Sequence, residues 1–250
     1  AYDANTTIFF WDVQNNVLKT YTDLTGTGDY LNGWKNGAGR INIADIDGDT
    51  LMNAVYVSGR YLYALKEGAT SLELLWRQNV TEETSGITGC TMFDFNADGK
   101  SEIVYRDEDY IYIYTTEPDG TVIRSTPVRC SSRTLNEYPI VLDMDADGAS
   151  EICIICSTTN TTNGRNLQLY DEAEVRVYES SNEPWVPARR VWNQHGYFVA
   201  NVNDDLSIPI KQQLHHLIYA KNAQCRKFGS SRPLNSFLNQ APYLNSFGCP

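Results

Sequence analysis

Basic residues are in deficit: 20 Lys and Arg stand against 31 Asp and Glu, giving a net charge of −11. A nucleic-acid partner would call for a basic patch or stripe, so none is expected. No apolar run approaches the roughly 18 residues of a membrane-spanning helix, and no membrane span is expected either. Long acidic runs are also missing, so the charge is not that of a solvated tail. The opening residues, AYDANTTIFFWDV, lack the basic start and apolar stretch of a secretory signal, so an exported chain would have carried that signal upstream. Helical periodicity is confined to one stretch, IKQQLHHLIYAKNAQ at 210–224. Histidine is scarce, with three in the chain. Two of them, His215 and His216, are adjacent, point to different sides of any regular element and form no two-His metal face. No G-x-S-x-G, H-E-x-x-H or Walker-type loop occurs.

What is present is a globular composition, 42% hydrophobic and 20% charged, with acidity gathered into short loops. Three loops begin at Asp45 (DIDGDTLMN), Asp94 (DFNADGKSE) and Asp143 (DMDADGASE), each 49 residues after the last. Together they hold ten of the 31 carboxylates. Three divalent cations would bring −11 to −5, so much of the acidity reads as metal ligand.

The remainder of the unit repeats with the loops. A short β-type run precedes each one (RINIA, CTMF, PIVL) and a second follows it (NAVYV, EIVYR, EICIIC). A third run comes next (YLYALK, YIYIYT, EVRVYES), and a fourth is visible as SLELLW and TVIRSTPV. Alternation of Val, Ile, Tyr and Thr between Gly, Asn and Asp predicts strands. TEPDGT at 116–121 predicts a tight hairpin with Gly120 at positive φ. TIFFWDVQNNVLKTYTDL, near the start, fits the second half of the unit, and STTNTTNGRN lengthens the third unit. Four short strands in about 50 residues, without helices, match one blade of a β-propeller. The expected fold is therefore all-β: a partial or small propeller of four-stranded blades with calcium-binding loops. Blades occupy 1–183, and 184–250 is a degenerate last blade and C-terminal segment of the same domain.

In each loop, alternate oxygen-bearing side chains can converge on one cation. Hard, charged oxygen ligands suit calcium rather than zinc or copper. An EF-hand closes with Glu at position twelve between helices, whereas here the acid falls at nine between strands, which excludes an EF-hand. On these loops and their period, the chain resembles the FG-GAP or VCBS-type repeats of integrin α-like propellers. The resemblance implies Ca2+ ligation by Asp94, Asn96, Asp98 and Glu102 with the Lys100 carbonyl. It implies the same for Asp143, Asp145, Asp147 and Glu151 with the Ala149 carbonyl, and for Asp45, Asp47, Asp49 and Asn53 with the Leu51 carbonyl. Thr50 stands at position six of the first loop and neutral Asn53 at nine, so that site is expected to be weaker. The calcium is expected to be architectural, gaining free energy as the chain folds.

The stretch 184–209 is the least repetitive. NVNDD at 201–205 reads as a decayed loop, with Asn201, Asn203 and Asp205 in the oxygen positions. Arg189, Arg190, Trp192, His195 and Tyr197 offer cations, stacking surfaces and an acid–base group for a polysaccharide ligand, or else aromatics and Arg stems that pack a last blade. Residues 184–250 resemble the region that follows such repeats in adhesin-like surface proteins of Bacteroidota exported by type IX secretion. That likeness implies an excerpt from a longer extracellular chain. Six cysteines are expected to be structural, with Cys225–Cys249 the first pairing to consider among the 15 that six allow. The expected function is a non-enzymatic, secreted or cell-surface module for adhesion, ligand binding or display. Its partners would be other domains of the longer chain, a glycan or a surface protein. A glycan-binding lectin is the alternative, and after it a polysaccharide lyase dependent on His195 or Arg190.

Overall fold

The computed structural model describes residues 7–22, 38–82, 86, 88–132, 137–157, 173–211 and 237–242. The helical stretch beyond 211, the insertion beyond 157, and Cys225 and Cys249 lie outside these residues. Every regular element among the described residues is a β-strand.

Strands β1 (Thr7–Asp12) and β2 (Val17–Thr22) form an antiparallel hairpin. The first sheet runs β3 (Asn42–Ala44), β4 (Asn53–Ser58), β5 (Tyr61–Glu67), β6 (Leu72–Asn79), each strand hydrogen-bonded to the next. The second runs β7 (Cys90–Phe93), β8 (Glu102–Arg106), β9 (Tyr110–Thr116), β10 (Val122–Arg124), and β11 (Val128–Arg129) also pairs with β9. The third contains β12 (Ile140–Leu142), β13 (Glu151–Ser157) and β14 (Ala173–Tyr178). Each sheet is thus one sequence unit folded as an antiparallel meander. The hairpin turn at 117–121 forms as expected, with Gly120 at φ +84° and the Glu117 amide donating to the Thr121 carbonyl at 2.8 Å.

The central strands carry apolar residues on both faces because both faces are covered. Every residue of β8 is buried. On the first sheet, Val55, Val57, Leu62 and Ala64 pack on Ile103, Tyr105, Tyr112 and Tyr114 of the second. The second sheet turns Val104 and Ile111 towards Ile152 and Ile154 of the third. The hairpin rests Ile8 on Tyr56, Tyr63 and Leu65. Polar ties cross the same seams. Trp76 donates through Nε1 to Thr116 Oγ1 at 3.0 Å, and buried Arg106 reaches Glu137 at 2.9 Å and the Ile155 carbonyl at 3.0 Å. A disulfide joins Cys130 to Cys156, while Cys90 and Cys153 are buried free thiols. Cys153 and Cys156, three residues apart, therefore lie on opposite faces of β13, as alternation along a strand requires.

The segment 237–242 threads among the first strands of the sheets. Phe237 bridges to Ile43. Asn239 accepts from Asn42 Nδ2 at 2.8 Å and from the Met92 amide at 3.0 Å, and it donates to the Ile43 carbonyl. Gln240 accepts from Tyr197 at 2.6 Å and donates to the Val191 carbonyl. One short run thus ties the first two sheets to the stretch 189–197.

Candidate metal loops

The three acidic loops join the first and second strands of their sheets, and their hydrogen bonds superpose position by position. The amide at position two donates to the side chain at nine: Ile46 to Asn53 at 2.9 Å, Phe95 to Glu102 at 3.0 Å, Met144 to Glu151 at 2.7 Å. The amide at seven donates to the carboxylate at five: Leu51 to Asp49 at 2.7 Å, Lys100 to Asp98 at 2.8 Å, Ala149 to Asp147 at 2.7 Å. The carboxylate at one gathers amides of its own turn, from Gly48 and Thr50 onto Asp45, Asp98 and Gly99 onto Asp94, and Ala146 onto Asp143. Backbone donors thus hold the carboxylates facing inward, a form of preorganisation that a cation ligand set needs.

Two residues per loop are left-handed, at positions four and six: Gly48 and Thr50, Ala97 and Gly99, Ala146 and Gly148. Glycine serves position six in the second and third loops and position four in the first. The glycine at position six of the second and third loops points to a bend there, whereas the bend at position four has no glycine to signal it in those loops. Thr50 adopts φ +74°, a costly state for a β-branched residue, so the first loop folds like the others in spite of its altered sequence.

Ligand-type oxygens converge in two of the loops. One carboxylate oxygen each from Asp45, Asp47 and Asp49 lies within 4.8 Å of the others, and so do those of Asp143, Asp145 and Glu151. Asp47 Oδ1 is buried without a hydrogen-bond partner, and only 9% of that residue is exposed. In the second loop, Asn96 replaces one acid, and Asn96 Oδ1 takes the Asp98 amide at 2.9 Å. Burial pushes the Asp94 carboxyl up to about 6 and Glu102 up to about 7, despite the amides that each accepts. Burial also raises Asp47, with Asp49 adding repulsion, and raises Glu151. Lys100 lays its stem over Gly48, where a Cβ would sit 3.1 Å from its Cγ and Cδ, and Ser101 donates to the Asp45 carbonyl at 2.8 Å. The first and second loops are thereby coupled. Between them lies a groove of about 610 Å³, lined by Asp47, Asp49, Asp98, Lys66, Lys100, Leu74 and Leu75.

The fourth acidic stretch keeps the turn and loses the convergence. Leu206 is left-handed at φ +69°, and the Ser207 amide donates to Asp205 at 2.9 Å, as at positions six and seven of the other loops. Asn201 instead spends its amide on its own turn, accepting from Phe198 and donating to the Gly196 carbonyl. The nearby aromatic and basic residues separate by burial. Arg189 is buried and donates to Asp204 and to the Val199 and Val202 carbonyls, and Tyr197 is buried on Gln240. Arg190 and His195 are exposed, and Trp192 is half-buried. The Tyr138 ring sits 5.0 Å from His195 and 3.6 Å from the Arg40 guanidinium. Arg189 and Tyr197 thus hold the backbone together, and Arg190 and His195 face solvent.

Residues 61–154 match the FG-GAP-like repeat. That span holds the second and third loops, the whole second sheet, and β12 with the start of β13. Among solved structures, the crystal structure of the V. cholerae biofilm matrix protein Bap1 is similar, with a TM-score of 0.54 and 26% sequence identity. The similarity covers 77% of this chain and 28% of that one, so the chain spans little more than a quarter of Bap1. No curated protein matches. The described residues are all-β, with the FG-GAP-like match confined to 61–154, and no helix among them is long and apolar enough to cross a membrane.

Proposed function

We propose that this chain is a non-enzymatic, calcium-stabilised β-propeller module of a secreted or cell-surface protein, serving adhesion or display within a longer extracellular chain. In this reading 1–183 and 184–250 belong to one domain, and the longer chain is a type IX-secreted surface protein like those of Bacteroidota. The observation that carries it is the buried, partnerless Asp47 Oδ1 inside a cluster of three carboxylates. A buried carboxylate oxygen without a partner is costly, and a divalent cation is the partner whose hard-oxygen chemistry fits this donor set. Bound calcium would supply the positive charge that lets these carboxylates stay ionised while buried. The residues that would hold it are Asp45, Asp47, Asp49 and Asn53 with the Leu51 carbonyl, then Asp94, Asn96, Asp98 and Glu102 with the Lys100 carbonyl, then Asp143, Asp145, Asp147 and Glu151 with the Ala149 carbonyl. Similarity to the V. cholerae matrix protein supports the adhesive, extracellular part.

The deciding experiment is thermal unfolding with calcium and with excess chelator at matched ionic strength, alongside metal analysis of the purified chain. Calcium at about a hundred times its dissociation constant adds about 2.7 kcal/mol per site, so the melting temperature should climb with calcium and Asp47→Ala should reduce the climb. A melting temperature indifferent to both additives, with no metal found, would remove the basis of the reading. A second reading, glycan binding, draws on the groove between the first two loops, which Leu74 and Leu75 line together with charged residues. A glycan array probed in calcium, without hits, would discard it.

A further inference from the structure

One peptide of each acidic loop faces two ways. The carbonyl at position seven is the one that would ligate the loop's own cation, and the amide at position eight lies in the same peptide plane. In the second loop that peptide joins Lys100 to Ser101. Its amide donates at 2.8 Å to the carbonyl of Asp45, which is position one of the first loop. The Lys100 side chain adds a second tie. Its stem crosses Gly48, at position four of the first loop, so closely that a Cβ there would meet it at 3.1 Å. Its ammonium stays with the second sheet, 3.4 Å from the Thr116 carbonyl and 3.7 Å from Asp98.

The seam between the second and third loops is built differently. Ala149 stands where Lys100 does, and Ala97 stands where Gly48 does, so there is neither a long stem nor a glycine to make room for one. Among the described residues, no hydrogen bond joins the Ser150 amide to the second loop.

We propose that the first and second loops bind calcium as a coupled pair, each raising the other's affinity through the Lys100–Ser101 peptide, while the third loop fills independently. This rests on the reading of the loops as calcium sites. With a cation on its carbonyl, the Lys100–Ser101 peptide is polarised, and its amide becomes a stronger donor to Asp45. The same peptide is then already ordered when the first loop fills, so the two ions share the cost of fixing the seam. Repulsion between the ions is offset locally. Asp94, Asp98 and Glu102 bring −3 to the second loop, and a bound Ca2+ leaves it at −1.

Isothermal titration with Ca2+ tests the coupling in a chain whose third loop is silenced by Asp147→Asn with Glu151→Gln. The second loop is silenced by Asp98→Asn with Glu102→Gln, and the first by Asp47→Asn with Asp49→Asn. These exchanges keep a side-chain oxygen at every position, and circular dichroism verifies the fold. A silenced first or second loop carries −1, the charge it has when filled, so charge acting through space is held constant. The overall constant for filling both loops should exceed the product of the two single-loop constants by about fivefold or more. Equality overturns the coupling and leaves the calcium reading standing, whereas a chain that takes up no calcium overturns both. Should a twice-silenced chain not fold, the once-silenced chains decide. Silencing the third loop should leave the other two constants where the unaltered chain has them. Silencing the second should weaken one of the remaining two by about fivefold or more. Unshifted constants in both chains overturn the proposal.

Discussion

Thr50 is the residue at which the local sequence and the repeat disagree most. Its loop needs two left-handed positions, and it has glycine at only one of them, Gly48. A β-branched residue at φ +74° costs on the order of 1–2 kcal/mol, against about 0.5–1 kcal/mol that glycine loses through its freer unfolded chain. Thr50→Gly should therefore stabilise by up to about 1 kcal/mol and raise the melting temperature by about 2–4 °C in a chain of this size. Thr50 is exposed, so no packing is lost in the exchange. Gly48→Ala should act in the opposite direction, because a Cβ there would press on the Lys100 stem at 3.1 Å. Calorimetry of both variants checks the pair. A Thr50→Gly chain that melts below the unaltered one would show that the hydroxyl or the methyl group of Thr50 is a contributor in its own right.

At the scale of elements, alternation and period made most of the fold legible in the sequence. Residues that repeat every 49 positions must occupy equivalent places, so the strands, the loops between first and second strands, and the β1–β2 hairpin could be read directly. What stayed hidden depends on chain segments distant in sequence. Nothing local distinguishes Asn239 and Gln240 from exposed turn residues, yet they are buried and hydrogen-bond across the first strands. Likewise Arg189 reads from the sequence either as a ligand-binding cation or as a stem packing a last blade, and only the fold brings the carbonyls of Val199 and Val202 around it. The disulfide belongs to the same class. Cys130 follows β11, Cys156 lies on β13, and β11 pairs with β9, so the bond fastens the second sheet to the third. With a separation of 26 residues, the cross-link is worth about 3 kcal/mol by restricting the unfolded chain. Replacing Cys130 and Cys156 together by Ala should lower the melting temperature by about 6–12 °C. Cys90 should not substitute as a partner: its thiol is buried and pushed up to about 12 by that burial. A double variant that melts with the parent would mean that the stacked faces alone fix the third sheet.

For the whole molecule, stability should respond to pH in opposite directions with and without calcium. In the metal-free chain, Asp94 and Glu102 have folded values of about 6 and about 7, above the ordinary carboxylate range near 4. Between those limits the folded chain holds more protons than the unfolded one. Its stability is therefore fullest below about pH 4 for these two groups and is lost as pH rises through 6 and 7. The net charge of −11 reinforces the trend, since each ionised carboxylate adds repulsion to a surface already short of cations. Calcium takes the place of those protons. It requires the ionised ligands, so its affinity grows over the same interval and levels off above it. The calcium-induced rise in melting temperature should thus be small at pH 5, large at pH 8, and steepest between 6 and 7. Glu102→Gln keeps an acceptor for the Phe95 amide and has nothing to titrate, so it should flatten the pH dependence in chelator and reduce the calcium effect. Melting curves across that range, in chelator and in calcium, provide the check. A calcium effect of equal size at pH 5 and pH 8 would place the ion away from these buried carboxylates, because only a site made of groups that titrate near neutrality couples metal and proton in this way.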